Sequence, residues 1–526
     1  MRTTRVLAAV SAAAVLGAAA PAAGVSWLGA GAGTPRTSTS TSGTTATSAS
    51  VLDEYAADTW TSFEAMAVPE TGLPADNIGG DLSAGSRSAF TSPTNIGAYL
   101  WSTVAARDIG LIGADEARER MTTTLESVAH LEKHEPSGQF YNWYNPVTLE
   151  KLRIWPENGN VVKPFLSSVD NGWLATGLLL TARAEPSLAD RADAIREDMN
   201  FGCYYNPAEN QIRGGFWDED PNESAAVKGD YCGMGQDVWF TGHHYGAFNT
   251  EPRIASYLGI AEGQIPARHY YGTFRTFPAT CDWAWTETKP VGEWKTYDGV
   301  RVFEGALPYR GMKIVPSWGG SMFEALMVPL FVPEEIWGPK SWGRNHPLYV
   351  RAQIQHGLAD AKYGYWGFSP SNNPAGGYRE YGVDAIGLDE PGYTSDDKRT
   401  TWDQSYAGCG RPGTAAPTAD QYGDGVVTPH ASFLALRYAP DQALANLAKL
   451  RADFDAYGPG GFYDAVAVKS GTVSQRYLAL DQGMVMAALG NELAGDDMRD
   501  YVASGSMEDA LRPLMRQEVF TTAPNR

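Results

Sequence analysis

The chain has 526 residues, 43% of them hydrophobic, and 61 acidic against 41 basic side chains give a formal net charge of −20. Nucleic acid and anionic membranes are bound through basic surfaces, so this balance argues against both as partners and leaves neutral polymers open. The length is enough for one large domain or two average ones.

Residues 1–23 read as a secretory signal peptide. Arg2 and Arg5 form a short basic region, a small-residue apolar run follows, and the alanines at 18–20 and 22–23 offer cleavage sites. No cysteine lies near them, so this is not a lipoprotein signal, and no later apolar run approaches the ~20 residues that span a bilayer. A secreted, extracellular protein is expected. Residues 24–50 read as a linker, rich in Ser, Thr and Gly from 34 onward. The rest, 51–526, reads as one domain.

Apolar residues at i, i+3 and i+4 predict helices over 51–67, 95–108, 114–134, 170–184, 188–199 and 321–330. Further helices are predicted over 348–361, 429–438, 440–454, 478–493 and 507–516. Between them run long loops, 139–164, 202–250, 276–316 and 363–424, packed with Gly, Pro, Asn, Asp, Trp and Tyr. Loops of this length in a compact domain are usually functional. No β-α-β alternation and no phosphate loop stand out. An all-α fold fits: an (α/α)6 toroid whose inner helices ring a cleft walled by aromatic-rich loops. An ordinary bundle would have shorter connections.

The four cysteines, Cys203, Cys232, Cys281 and Cys409, predict two disulfides in an exported protein. Of three pairings, one containing Cys203–Cys232 is favoured because it closes a short, loop-rich segment. No C-x-x-C suggests zinc. Asp218-Glu219-Asp220 lacks the spacing of a calcium loop, and Asp396-Asp397 is similarly weak. No H-x-x-x-H or G-x-S-x-G occurs, and His243-His244 point in different directions on any regular element. No metal and no cofactor are expected.

The aromatic load is high, with 16 Trp and 26 Tyr, and many stand beside Asn, Asp or Gly, as in Tyr141-Asn142-Trp143-Tyr144 and Tyr365-Trp366-Gly367. Sugars offer flat C–H faces to aromatic planes and hydroxyls to carboxylates, although most aromatics in any domain serve the core. In Ser317-Trp318-Gly319-Gly320-Ser321-Met322-Phe323-Glu324-Ala325-Leu326-Met327 a single carboxylate, Glu324, lies in an apolar segment. An apolar surround raises a carboxyl pKa, as a general acid requires; the alternative is a salt-bridged helix residue.

Several motifs converge in order. They are Thr91-Ser92-Pro93-Thr94-Asn95-Ile96-Gly97, Phe140-Tyr141-Asn142-Trp143-Tyr144, Ser168-Val169-Asp170-Asn171-Gly172-Trp173-Leu174, Thr250-Glu251-Pro252-Arg253-Ile254-Ala255 and the segment 317–327. Trp366-Gly367-Phe368-Ser369, residues 378–388, Val427-Thr428-Pro429-His430-Ala431-Ser432, Gly461-Phe462-Tyr463-Asp464 and Leu480-Asp481-Gln482-Gly483-Met484 complete the set. Over about residues 85–495 the chain resembles the glycoamylase-like family, which includes endo-β-1,2-glucanases and the glucan-processing domain of cyclic β-1,2-glucan synthases. The resemblance implies an (α/α)6 toroid and a glycoside hydrolase acting on a β-linked glucan, β-1,2-glucan first. It implies Glu324 as acid, Asp481 as base and Asp170 as a third cleft carboxylate. The alternatives for the last two are an N-cap at Asp170 and a dipole-stabilised helix start at Asp481. It places Trp143, Tyr144, Trp173, Trp318, Trp366, Tyr378, Arg379, Glu380, Asp384 and His430 against substrate. His430 departs from the tyrosine more usual in the family, and the segment 203–232 is an insertion. An inverting hydrolase, acting as a monomer on an oligo- or polysaccharide, is expected. Another wall or storage glycan, transglycosylation, or a non-catalytic carbohydrate-binding protein on the same scaffold are the rivals.

Overall fold

The computed structural model describes residues 42–230, 233, 235–282, 285–389, 409 and 417–523. The predicted signal peptide lies outside them, as do most of the linker and Asp396-Asp397. Helices are α1 (Ser42–Met66), α2 (Pro93–Ile109), α3 (Ala114–His130), α4 (Ser168–Ala184), α5 (Ala189–Glu197), α6 (Arg253–Ala261) and α7 (Met322–Leu326). They continue as α8 (Glu334–Trp337), α9 (Trp342–Gln355), α10 (Pro429–Leu434), α11 (Pro440–Asp453), α12 (Ala479–Leu493), α13 (Asp497–Ala503) and α14 (Ser506–Gln517).

Two kinds of helix are present, and their sequences say why. In α2, α4 and α12 nearly every residue is buried, including small ones on all sides. In α3 the buried residues are Ala117, Met121, Thr124, Leu125, Ser127 and Val128, and in α11 they are Ala443, Asn446, Leu447 and Leu450. A helix buried all round belongs inside, and one with a single apolar stripe belongs outside. The inner set forms a ring: α2 packs on α4, α4 on α6, α7 on α10, α10 on α12, and α12 back on α2. Arg253 joins α6 to α7 by donating to Glu324 O at 3.0 Å and Ala325 O at 2.8 Å. Outside, α1 covers α12 and α2, α3 covers α2, α5 covers α4, α9 covers α7, and α11 covers α10. Glycine sets the spacing between α2 and α4, since a Cβ on Gly177 would sit 2.7 Å from Gly97 Cα.

The molecule is not all-α. The long loops form short β-pairs, because their glycines permit tight turns that a helix cannot use. The longest is an antiparallel sheet of 291–297, 300–309 and 312–314, turning at Asp298-Gly299 with φ of 48° and 80°. That Asp-Gly pair is the hairpin signal within a segment that otherwise reads as a long loop. This sheet fills the connection from α6 to α7, and α14 from the end of the chain packs on α6. Behind it, Arg275 and Glu518 are fully buried, Arg275 Nε donating to Glu518 Oε1 at 2.6 Å, with the buried Glu304 beside them.

Other differences are local. α1 opens at Ser42, inside the predicted linker. The 321–330 helix ends at Leu326 and continues as a 3-10 turn over Val328–Leu330, because Pro329 cannot donate to an α ladder. α6, α8 and α13 were not predicted. Cys281–Cys409 is bridged, and Cys203 is disulfide-bonded as well; its expected partner, Cys232, lies outside the described residues. No helix among the described residues is long and apolar enough to cross a membrane.

Candidate active site

Short strands run directly into the inner helices and fix their first turns. Strand 165–167 leads into α4, 476–478 into α12, and 426–427 comes just before α10, while 317–318 precedes α7 and pairs in parallel with 387–388. Polar side chains then fall on the first turn of successive inner helices: Asn95 on α2, Asp170 on α4, Glu324 on α7, His430 on α10 and Asp481 on α12. Glu251 stands two residues before α6. Helix N-termini attract negative charge, and here six of them face one end of the ring.

One side of the site is a carboxyl pair. Glu324 is 8% exposed, and its Oε2 accepts hydrogen bonds from Thr250 Oγ1 and from Glu251 N at 2.9 Å. Burial raises its pKa to about 6 against these donors. Glu251 Oε2 accepts from Trp173 Nε1 at 2.6 Å. Burial, and then the charge of Glu324, push the Glu251 carboxyl well up. The donors favour an ionised Glu324, so the proton of the pair belongs on Glu251. Sequence reasoning quoted Glu251 within its motif but did not single it out. Its place one residue after Thr250 and two before the buried Arg253 was the available signal.

Asp170 is half-buried, and its Oδ1 accepts from Thr94 Oγ1 at 2.8 Å. It is not the N-cap of α4; Ser167 is, with Oγ accepting from Asp170 N at 3.2 Å. Tyr245 lies close enough to feel Asp170, Glu251 and Glu324 together.

The other side centres on Asp481, which is 2% exposed. Burial raises its pKa to about 7. Asp464, equally buried, lies against it, and burial with the Asp481 charge pushes the Asp464 carboxyl well up. Asp76, whose Oδ1 accepts from Asn95 Nδ2 at 2.8 Å, adds its charge. His430 Nδ1 is 3.1 Å from Asp481 Oδ2 and 2.8 Å from Thr428 Oγ1; burial lowers its pKa to about 4, so it is neutral. Asp464 and Asp76 were not among the predicted site residues.

The hairpin of 371–372 with 378–379 connects the two sides. Burial, then the charges of Asp481, Glu380, Glu251 and Asp464, push the Tyr378 phenol well up, so this one side chain feels both carboxyl pairs. Glu380 is half-buried and faces Glu324, and Arg379 is exposed. Asp384 is buried in the turn Asp384–Ile386.

Several predicted sugar contacts are core residues instead. Tyr144 is fully buried, its hydroxyl donating to Glu132 O at 2.6 Å and accepting from Tyr141 N at 2.7 Å. Trp173 is fully buried against Trp101 and Phe331, and acts on the site only through Glu251. Trp366 is 2% exposed, with its backbone held by Asn446. Aromatic density alone does not separate a packing ring from a binding ring. Trp318 is buried edge-on to Trp285, whereas Trp143 is half-buried beside Trp155. In the acidic triplet, Asp218 accepts from Tyr141 Oη at 2.7 Å and Glu219 pairs with Arg153 at 2.5 Å.

Two family models match the chain. The glycoamylase model, described as "Putative glucoamylase", covers residues 286–496, and one described as "Protein of unknown function (DUF3131)" covers 54–227. The cyclic β-(1,2)-glucan synthase NdvB of Rhizobium meliloti (strain 1021) is 23% identical over 605 residues, which take in 90% of this chain but only 19% of that protein. This chain therefore spans about a fifth of that relative's length. An endo-β-1,2-glucanase from Chitinophaga pinensis, solved with sophorotriose and glucose, superposes with a TM-score of 0.59 at 16% identity, covering 89% of this chain and 98% of the other. A mutant endo-β-1,2-glucanase from Talaromyces funiculosus, solved with β-1,2-glucan, gives 0.62 at 12% identity, covering 92% of each. Residues 286–496 thus match the glycoamylase family, and the chain as a whole has the fold of the solved endo-β-1,2-glucanases.

Proposed function

We propose that this protein is a secreted glycoside hydrolase that cleaves β-1,2-glucan. One observation carries the reading: two buried carboxyl pairs, Glu251 with Glu324 and Asp464 with Asp481, stand at the same end of the ring, where Glu324 and Asp481 occupy the first turns of their helices, and Tyr378 feels the charge of both pairs. Glycoside cleavage needs one carboxyl that is protonated at working pH and another that is basic. The Glu251–Glu324 pair supplies the first. Its proton, held on Glu251 by burial and by the Glu324 charge, goes to the leaving glycosidic oxygen. This moves the donor from Glu324 alone to the pair. Asp481 is the base that takes a proton from the attacking water, and inversion of the anomeric carbon follows from direct attack by that water. Neutral His430, Tyr378 and Glu380 lie where glucose hydroxyls would pass. The fold shared with endo-β-1,2-glucanases supports the linkage, and the Cys281–Cys409 disulfide supports export.

The test is incubation of the purified protein with linear β-1,2-glucan and a panel of other glucans, with reducing-end detection and proton NMR of the first-formed anomer. Release of β-1,2-linked oligosaccharides with inverted configuration is expected. Turnover of another glycan alone would refute the linkage, a retained anomer with transfer products would refute Asp481 as a water-activating base, and binding without turnover would refute the enzyme. Mass spectrometry of the exported protein, showing a mature N-terminus near residue 24, tests secretion.

A further inference from the structure

Two carboxylate side chains meet in the cleft with nothing basic between them. Asp464 and Asp481 are each 2% exposed. Asp464 Oδ2 accepts from Asn372 N at 2.6 Å, so one oxygen is tied to the hairpin of 371–372 with 378–379. The carboxyls of Asp464 and Asp481 lie within hydrogen-bond range of each other. Beyond that contact, the nearest donor to Asp481 is His430 Nδ1, which lies 3.1 Å from Asp481 Oδ2 and 2.8 Å from Thr428 Oγ1. Two ionised carboxylates cannot hydrogen-bond, so the contact is made by one shared proton.

We propose that Asp464 is a positioning residue for Asp481: its carboxyl donates the shared proton to Asp481 and, through Asn372 N, fixes the Tyr378-bearing hairpin relative to the base. This rests on the reading of Asp481 as the base. Four groups face the pair from different elements: Asp76 before the strand 77–79, Asn372 and Tyr378 on the hairpin, and His430 on α10. His430 is neutral, and Asp76 contributes like charge. A proton donated by Asp464 favours the ionised, and therefore basic, form of Asp481.

An asparagine at 464 can still accept from Asn372 N and still donate to Asp481, while an alanine can do neither. On β-1,2-glucan, Asp464→Ala is expected to lower kcat by roughly ten-fold or more with a smaller change in KM. Its acid limb of kcat/KM is expected to move to higher pH, because Asp481 loses the donor that favours its ionised form. Asp464→Asn is expected to restore most of kcat and return the limb to its wild-type position. A purely structural Asp464 would lower activity without moving the limb, and that result overturns the proposal. Asp481→Asn separates the two ideas: full activity there refutes the base assignment itself, whereas an inactive Asp481→Asn beside an unshifted Asp464→Ala refutes only the role of Asp464. A readout independent of substrate is a carbon-13 titration of aspartate carboxyls in the resting protein. The resonance lost in Asp464→Asn is expected to stay protonated through neutral pH. Titration near the ordinary value of about 4 would overturn the proposal whichever glycan is cleaved.

Discussion

At the scale of single residues, the Glu251–Glu324 pair makes an asymmetric prediction. Glu251→Gln removes the proposed donor and should lower turnover by roughly 10²–10⁴-fold with the fold intact. Glu324→Gln leaves the donor but removes the charge that keeps it protonated. The Glu251 pKa should then fall, and the alkaline limb of the rate profile should move to lower pH. Steady-state kinetics across pH on both variants checks this; a Glu251→Gln enzyme with a tenth or more of wild-type rate would return the acid role to Glu324. His430 shows a different economy of charge. Buried and neutral beside Asp481, it offers hydrogen bonding without placing a cation against the base.

At the scale of elements, the ring depends on contacts that tolerate little added volume. A methyl group at Gly177 would meet the Gly97 backbone, so Gly177→Ala should force α2 and α4 apart and lower unfolding stability by about 1–3 kcal/mol. Arg253 acts between elements. Its Nε donates to Glu334 Oε1 at 2.8 Å in a fully buried pair, while its other nitrogens hold Thr250 O and the α7 carbonyls. Arg253→Met would strip the buried Glu334 of its cation and leave it only His346 and Tyr257 as partners. A loss of about 3–5 kcal/mol in urea unfolding is expected, with activity falling further because Thr250 and Glu324 lose their common support. Much of this architecture could be read beforehand: the amphipathic spacing of α3, α11 and α14 and the all-round apolarity of α12 mark outer and inner helices. What escaped were elements whose cause is tertiary. α6 is masked by Pro252 and by its buried Arg253, and the 291–314 sheet lies within a stretch that reads as loop, with only an Asp-Gly turn to announce it. Within the site, Glu324 stood out because its neighbours are apolar. Glu251 and Asp464 did not, since what makes them unusual is another carboxyl arriving from a distant part of the chain.

At the scale of the whole molecule, the buried ionisable groups give stability a defined pH dependence. Asp481, pushed up to about 7, and Glu518, pushed up to about 8, are raised by burial. Each favours the folded state while protonated, and that contribution is lost as pH rises through its folded pKa. His243, His244, His269 and His430, all lowered by burial to about 4, act oppositely, since the unfolded chain binds their protons first. Their effect is confined below about 6.5, the ordinary histidine value. Glu334, held at about 2 against burial by Arg253 and His346, loses its contribution only in strong acid. Above about pH 6.5 the raised carboxyls act alone, so Tm should fall from there to about pH 8, the higher of the two folded values, and level off beyond. Asp481→Asn and Glu518→Gln should each flatten that decline in scanning calorimetry; a flat wild-type profile over this range would contradict the burial argument.

The helix that covers α6 is α14, which follows it in the chain by more than two hundred residues. A ribosome delivers the chain from its N-terminus, so α6 emerges with its outer flank bare and stays so while more than two hundred residues are added. The ring is circular in space but linear in time. Its covering cannot finish until α14 has arrived and Glu518 has reached Arg275.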